Sequence, residues 1–254
     1  MDRGHEEILE AQFGPRAQAY VESAVHARGP DLDAAGEVIR ALAPRRALDI
    51  GSGGGHLAYL MAAHAGSVTA TDLSSEMLAA VAATARERGL SNLETVTAPA
   101  ERLPFEAGSF DFVGCRYSAH HWRDFDAGVR EARRVLEAGA TAVFIDAVSS
   151  GWALFDTHMQ TVELLRDASH VRDYSAAEWT AALGRAGFAL RGIRTWRLRM
   201  DFPIWTARMW TPEENVRAIR ALQAAAAAET RAFFEIEADG SFLLDVMMIE
   251  TRAV

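Results

Sequence analysis

Ala47-Leu48-Asp49-Ile50-Gly51-Ser52-Gly53-Gly54-Gly55-His56 joins a short apolar run to four glycines within five positions. The run has the length and composition of a buried strand, and Leu57-Ala58-Tyr59-Leu60-Met61 then resumes at helical spacing. Strand, glycine turn and helix together let main chain approach a ligand closely, because glycine lacks a Cβ and tolerates φ > 0. The N–H groups that open the following helix face whatever occupies the turn. Alone, such a turn fits several kinds of nucleotide-derived ligand.

Outward from the turn, short apolar runs alternate with helical patterns. Ser67–Thr71, Leu93–Thr97, Phe110–Cys115 and Thr141–Ile145 read as strands. Ser74 caps a helix with Met77, Leu78, Val81 and Ala85 on one face, and Asp124 starts another that runs to Gly139. This alternation implies βαβ crossovers and a parallel sheet covered by helices on both faces. Before it, residues 8–26 pattern as a helix broken at Gly14-Pro15, and Asp33–Leu42 as a second. After it, Ser175-Ala176-Ala177-Glu178 is a capping box. Phe188–Met200 and Ser241–Thr251 read as long strands. Between them, Thr211 as cap and Pro212 at the first helical position start a helix that the alanine run 224–228 extends.

Composition bounds the function. The 254 residues are 50% hydrophobic and 24% charged, enough for a sizeable core. A net charge of −9 disfavours nucleic acid, which needs a basic face. The single Cys115 excludes an intrachain disulfide and a cysteine metal cluster. With no apolar leader and no run near the roughly 18 residues of a membrane helix, the expectation is a cytoplasmic protein with no membrane partner.

Asp72 lies 21 residues after Gly51 at the end of the second strand, where an open α/β sheet places an acid against ribose hydroxyls. A turn with a helix cap is the plainer reading of Asp72-Leu73-Ser74. A nicotinamide site wants a third glycine where His56 stands. Asp49, two residues ahead of the glycines, can instead hold the ammonium of an amino-acid moiety, a group that a dinucleotide lacks.

With these residues together, the chain resembles the class I S-adenosylmethionine (SAM)-dependent methyltransferases. The branch is the one that shares a domain with ubiquinone/menaquinone C-methyltransferases. The likeness rests on Leu48–Gly55, on Asp72-Leu73-Ser74, on Ala100-Glu101-Arg102-Leu103-Pro104-Phe105 and on Phe110-Asp111. It extends to a group of bacterial methyltransferases through Gln12–Ala17, Arg116–Trp122, Ser169–Tyr174 and Asp239–Phe242. It implies an α/β, Rossmann-like fold: a seven-stranded, mostly parallel sheet with an antiparallel last strand. A helical N-terminal extension and a helical insertion before that strand complete it. The expected organisation is one domain over 1–254: a helical cap at 1–44, a SAM-binding core at 45–147, and substrate-side helices and strands at 148–254.

The resemblance implies SAM as cofactor, S-adenosylhomocysteine (SAH) as product, and Glu101 as acceptor for the adenine amine, with the Ala100 backbone beside the ring. The remaining cofactor candidates are Asp49, Gly51, Ser52, Gly53, Gly55, His56, Asp72, Leu73 and Met77, with Arg116, Tyr117, Phe13 and Tyr20 at the rim. Leu73 and Met77 pack either adenine or the helix behind it. Phe13 and Tyr20 either close over the cofactor or simply pack an N-terminal helix.

Arg116-Tyr117-Ser118-Ala119-His120-His121-Trp122 follows the fourth strand and should border the reacting centre. His120, His121 and Tyr20 are the catalytic candidates. A histidine serves either as general base or as a hydrogen-bonding wall of the pocket. His120, His121 and Asp124 invite a metal reading, but adjacent residues on an extended segment point apart, and no metal is expected. Trp152, Phe155, His158, Met159, Trp205, Met209 and Trp210 either line an acceptor pocket or form plain core. His170, Arg172, Asp173 and Tyr174 make a polar loop, either a substrate contact or a surface turn.

The expected function is methyl transfer to a small-molecule acceptor at O, N or C by a monomer or homodimer. The alternatives are a nicotinamide-dependent oxidoreductase and a non-catalytic SAM-binding module.

Overall fold

The computed structural model describes residues 4–17 and 28–254. Seven strands form one sheet in the order β3-β2-β1-β4-β5-β7-β6. In chain order they are β1 (Arg46–Ile50), β2 (Ser67–Asp72), β3 (Leu93–Thr97), β4 (Phe110–Arg116), β5 (Leu136–Ala147), β6 (Phe188–Met200) and β7 (Phe242–Ala253). Strands β1 to β5 pair in parallel, while β7 lies antiparallel between β5 and β6. Six strands therefore share one direction and the last opposes them, as expected.

Alternation along the strands divides the core. Leu48, Ile50, Val113 and Phe144 pack on one face with Val129 and Ala132 of α5 (Phe125–Val135) and Trp179 of α7 (Ala176–Ala186). Ala47, Phe112, Val143 and Ile145 pack on the other with Ile39 of α2 (Pro30–Leu42) and Met61 of α3 (His56–Ala62). A sheet buried on both faces needs apolar residues at successive positions, which is why its strands read as continuous runs.

The helix signals mostly hold. Ser74 Oγ accepts from the Met77 amide at 3.1 Å and caps α4 (Ser75–Glu87). Ser175 and Glu178 form the reciprocal box that opens α7. At four places the structure departs from the expectation. Helix α2 begins at Pro30, ahead of Asp33. Helix α5 stops at Val135 instead of Gly139, because Leu136 joins the sheet opposite Phe110. Pro212 occupies the cap of α9 (Glu213–Ala225) and not its first turn, since Thr211 Oγ1 donates instead to the Arg166 carbonyl at 3.0 Å. The alanine run does not carry one helix: the chain extends at Ala226-Ala227 and re-forms α10 (Ala228–Phe233). That break lets Phe233 stack on Phe155, with centroids 4.3 Å apart, and buries Phe234.

Two further helices bound the site. Helix α6 (Ala153–Arg166) follows β5, and α8 (Phe202–Arg208) follows β6. Helix α1 (His5–Phe13) and a 3-10 turn at Gly14–Arg16 precede the core. Tyr20 and the rest of the expected 8–26 helix beyond Ala17 lie outside the described residues. Among the described residues no helix is long and apolar enough to cross a membrane.

Candidate active site

The order of the sheet reverses between β1 and β4, and their carboxyl ends open a crevice, the place where open α/β sheets bind ligands. A cavity of about 460 Å³ occupies it. One half is built on the glycine turn, the other on the segment after β4, with α6 and α8 as its far wall.

In the first half the backbone is held by a few bonds. The Ser52 amide donates to the Thr71 carbonyl at 2.8 Å, and the Gly53 amide to Asp72 Oδ2 at 2.9 Å. The Ser74 amide donates to the other Asp72 oxygen at 3.0 Å. Asp72 therefore stands at the end of β2 braced from both sides, with burial raising its pKa against those amides. The glycines divide the work. A Cβ on Gly51 (φ 65°) would sit 1.8 Å from Ser118 Oγ, so this residue is needed for close packing. A Cβ on Gly53 (φ 48°) would meet nothing within 4 Å, because that position faces the open cavity.

Asp49 is 1% exposed, and among the described residues neither of its carboxylate oxygens has a partner at good hydrogen-bond geometry. Burial, reinforced by the charge of Asp72, lifts its pKa to about 7, while the Ala58 amide and the Arg116 guanidinium pull the other way. Ser52 Oγ is also buried without a hydrogen-bond partner. Unmade bonds of this kind are costly, and both residues line the cavity.

In the second half, residues 119–121 form a 3-10 turn that points two imidazoles inward. His120 Nδ1 lies 2.5 Å from Asp146 Oδ1, and the His120 amide donates to the other oxygen of that carboxylate at 3.2 Å. Burial opposes charge on His120, yet the Asp146 carboxylate outweighs it and raises the pKa to about 9. His121 goes the other way, to about 4, through burial and the positive charge of His120. His121 Nδ1 meets the Ser169 carbonyl at 3.1 Å, and a carbonyl only accepts, so Nδ1 carries the proton. Nε2 keeps its lone pair, 4.0 Å from Asp167 Oδ2.

Apolar walls come from Met200, Trp205, Met209, Leu244 and Val246. Helix α1 lies over the opening. His5 Nε2 donates to the His121 carbonyl at 2.8 Å, Phe13 meets the His121 ring edge-on at 5.1 Å, and Arg16 donates to the Met209 carbonyl at 2.8 Å.

Of the residues expected at the site, Asp49, Gly51, Ser52, Gly53, His56, Asp72, Leu73, Met77, Ala100, Glu101, Arg116, Tyr117, Phe13, His120 and His121 all line this cavity. Gly55 does not: at φ 77° it caps α3, and a Cβ there would meet Tyr59 and Val81 at 2.9–3.0 Å. Of the large apolar residues, Trp205 and Met209 reach the cavity, whereas Trp152 and Trp210 point outward at 73% and 63% exposure. The 170–174 loop is no surface turn at His170 and Asp173, which are 6% and 1% exposed. Asp124 caps α5, with its amide on Glu101 Oε1 at 3.2 Å.

Sequence reasoning missed Asp31, Asp146, Glu163 and Asp167. Asp31 pairs with Arg116 at 2.6 Å, both side chains buried. Asp146 was findable, since it ends a buried parallel strand at the same level as Asp72 ends β2. Glu163 and Asp167 carry no signal before the fold brings α6 across the crevice.

Comparison with known proteins accounts for the architecture. Residues 48–144 match the family model described as a methyltransferase domain. The Bacillus subtilis methyltransferase YcgJ is 33% identical over 210 residues, 83% of each chain. The chain belongs to the SAM-dependent methyltransferases. The crystal structure of YcgJ superposes with a TM-score of 0.82, covering 87% of this chain and 98% of that one. Escherichia coli YafE is 43% identical over 185 residues, 73% of this chain and 89% of its own. The ubiquinone/menaquinone biosynthesis C-methyltransferase of Sinorhizobium fredii is 29% identical over 170 residues, 56% of this chain and 66% of its own. The third-glycine position of a dinucleotide turn is held in this methyltransferase by the buried His56.

Proposed function

We propose that this methyltransferase binds SAM on the glycine turn and methylates a small molecule held between the 119–121 turn and α8. The observation that carries the reading is Asp49. It is a buried carboxylate with no partner at good hydrogen-bond geometry among the described residues, at a turn that opens into the same cavity as two histidines. An ammonium supplies both the charge and the donors that Asp49 lacks, so the residues present fit SAM.

Asp49 and Ser52 would hold the amino-acid end, Asp72 the ribose hydroxyls, and Leu73, Met77, Ala100 and Glu101 the adenine. Gly53 leaves room for the ligand against bare backbone. Bound there, SAM supplies a methyl group on a sulfonium, which needs no further activation. What the protein must then provide is a nucleophile held in line, a contribution of roughly 7–11 kcal/mol when the geometry is right.

His121 is the group suited to take a proton from an O–H or N–H acceptor. Burial, and after it the charge of His120, keeps it unprotonated through the neutral range, and the Ser169 carbonyl fixes Nε2 as its proton-accepting atom. Asp146 holds His120 in place from two sides. Met200, Trp205, Met209 and Leu244 favour an acceptor with an apolar or aromatic body and one polar reacting end. Helix α1, which lines the opening through His5, Leu9 and Phe13, would limit the access of water to the reacting atoms. A reducing cytoplasmic setting suits the single, buried Cys115.

The test is calorimetric titration with SAH, followed by methyl transfer from labelled SAM to a panel of phenols, amines and enolisable ketones. Micromolar SAH binding and transfer to a panel member support the reading. Absence of SAH binding removes it.

A further inference from the structure

The acceptor half of the cavity holds a cluster that the methyl-transfer reading uses only in part, as a charge and a brace beside His121, leaving Asp173 without a role. His120, Asp146 and Asp173 each offer one metal-ligating atom, and the three atoms lie within 4.8 Å of one another. The residues come from three separate elements: the turn after β4, the end of β5, and the loop between α6 and α7. We propose that these three side chains form a site for one divalent cation of the transition-metal class, open to the acceptor pocket.

The second observation is the state of Asp173. Its Oδ2 is buried and among the described residues has no hydrogen-bond partner. The neighbouring His170 Nε2, 3.7 Å away, is committed to Gln160 Oε1 at 2.9 Å. The other Gln160 contacts, to the backbone of Asp173 and to Asp156, leave that carboxylate oxygen untouched. A dry carboxylate oxygen beside a histidine–aspartate pair is left without the donor or cation contact that burial demands. Glu163 and Asp167 add two more carboxylates to the same wall, against Arg166, which is spent on Glu163 at 3.3 Å. The wall is therefore rich in buried carboxyl groups, oxygen donors of the kind a dication takes, at the point where the histidine also converges.

The donor set selects the ion. One imidazole with two carboxylates suits zinc, manganese, iron or cobalt better than magnesium or calcium, which favour all-oxygen shells. Three protein ligands leave a coordination position open, the arrangement of reactive sites as opposed to structural ones. The cation would take the place of the proton between His120 Nδ1 and Asp146 Oδ1, which lie 2.5 Å apart. A hydroxyl coordinated at the open position would give up its proton to water more readily than a free hydroxyl does. Acceptors with a coordinating oxygen, such as phenols or enolisable ketones, would profit most. Only this last step rests on the proposed methyl transfer; binding of the ion does not.

The experiment titrates Co²⁺ alone into chelator-treated full-length protein and reads visible absorption, with Zn²⁺ calorimetry alongside. The expected result is one ion per chain, with an intensified band of a low-symmetry histidine–carboxylate site. Asp173→Asn should weaken Zn²⁺ binding at least about 100-fold, beyond the loss typical of an outer-shell change. The same variant should bind SAH like the wild type, which shows that it folds. The exposed His64→Asn should change nothing. Binding that survives Asp173→Asn, or wild-type protein that leaves the Co²⁺ spectrum as that of the free aquo ion, overturns the proposal. The wild-type spectrum decides the matter even if the variant does not fold. SAH binding is measured separately, so failure of the metal site and failure of the cofactor assignment are distinguishable.

Discussion

Replacing Asp49 by Asn removes a buried charge that the ligand-free protein holds at a cost. In the folded chain its pKa is about 7 against an ordinary 3.8. The folded state therefore keeps the proton to higher pH than the unfolded chain, and stability falls as pH rises between those two values. At about 1.4 kcal/mol per pKa unit the full cost is ~4 kcal/mol above pH 7, of which roughly 2.5 kcal/mol accrues between pH 5 and pH 8. Asn still leaves a buried amide with unmade bonds, costing about 1–3 kcal/mol at every pH. The pH slope is thus the diagnostic, not the absolute stability. Urea unfolding of wild type and variant, without ligand, at pH 5, 6, 7 and 8 should show the variant gaining on the wild type by roughly 2.5 kcal/mol across the series. SAH affinity should move in the opposite sense. The ionised fraction of Asp49 rises about tenfold from pH 6 to pH 8, so wild-type binding should tighten by about that factor, and Asp49→Asn should lose both the affinity and its pH dependence. Parallel stability curves for the two proteins, or an SAH affinity indifferent to the substitution, would refute the reasoning.

The two glycines should separate packing from binding. Gly51→Ala drives a methyl to within 1.8 Å of Ser118 Oγ at positive φ, and should lower the thermal midpoint by an amount equivalent to about 1–3 kcal/mol. Gly53→Ala meets no neighbour, so its thermal midpoint should shift by the φ penalty alone, about 1 kcal/mol, while SAH affinity falls markedly in calorimetry. Asp72→Ala should abolish measurable SAH binding, since it removes the proposed ribose acceptor and the brace on the Gly53 amide together. His121→Ala should reduce turnover of an O–H or N–H acceptor by about 10²–10⁴-fold with SAH affinity unchanged; an unaltered rate would make the residue a wall of the pocket only.

The half of the cavity built on the glycine turn was legible because its signals are local. Glycines at 51 and 53, an acid ending each of two strands, and a capped helix behind them sit within one βαβ unit, where spacing alone fixes geometry. Even there Gly55 misled: a glycine cradling a ligand and a glycine making room for Tyr59 look the same in a sequence. The other half was illegible for the opposite reason. Asp146, Asp167 and Asp173 converge on His120 and His121 only after β5 pairs with β4 and α6 crosses the crevice. Those contacts span tens of residues, and no periodicity records them. The 170–174 loop shows the same limit, since its polar composition reads as surface until the neighbouring charges make burial tolerable. Helix ends failed where tertiary pairing won over propensity, as when Leu136 left α5 for the sheet and Phe233 drew α10 away from the alanine run.

The central claim is that one cavity holds SAM on Asp49 and Asp72 and a second small molecule against His120 and His121. A crystal structure of the full chain with SAH tests it most directly. The account predicts the SAH ammonium beside Asp49, its ribose on Asp72 and its adenine at Ala100-Glu101, with the thioether sulfur turned toward His121. SAH found elsewhere, or bound with Asp49 still lacking a partner, would contradict it.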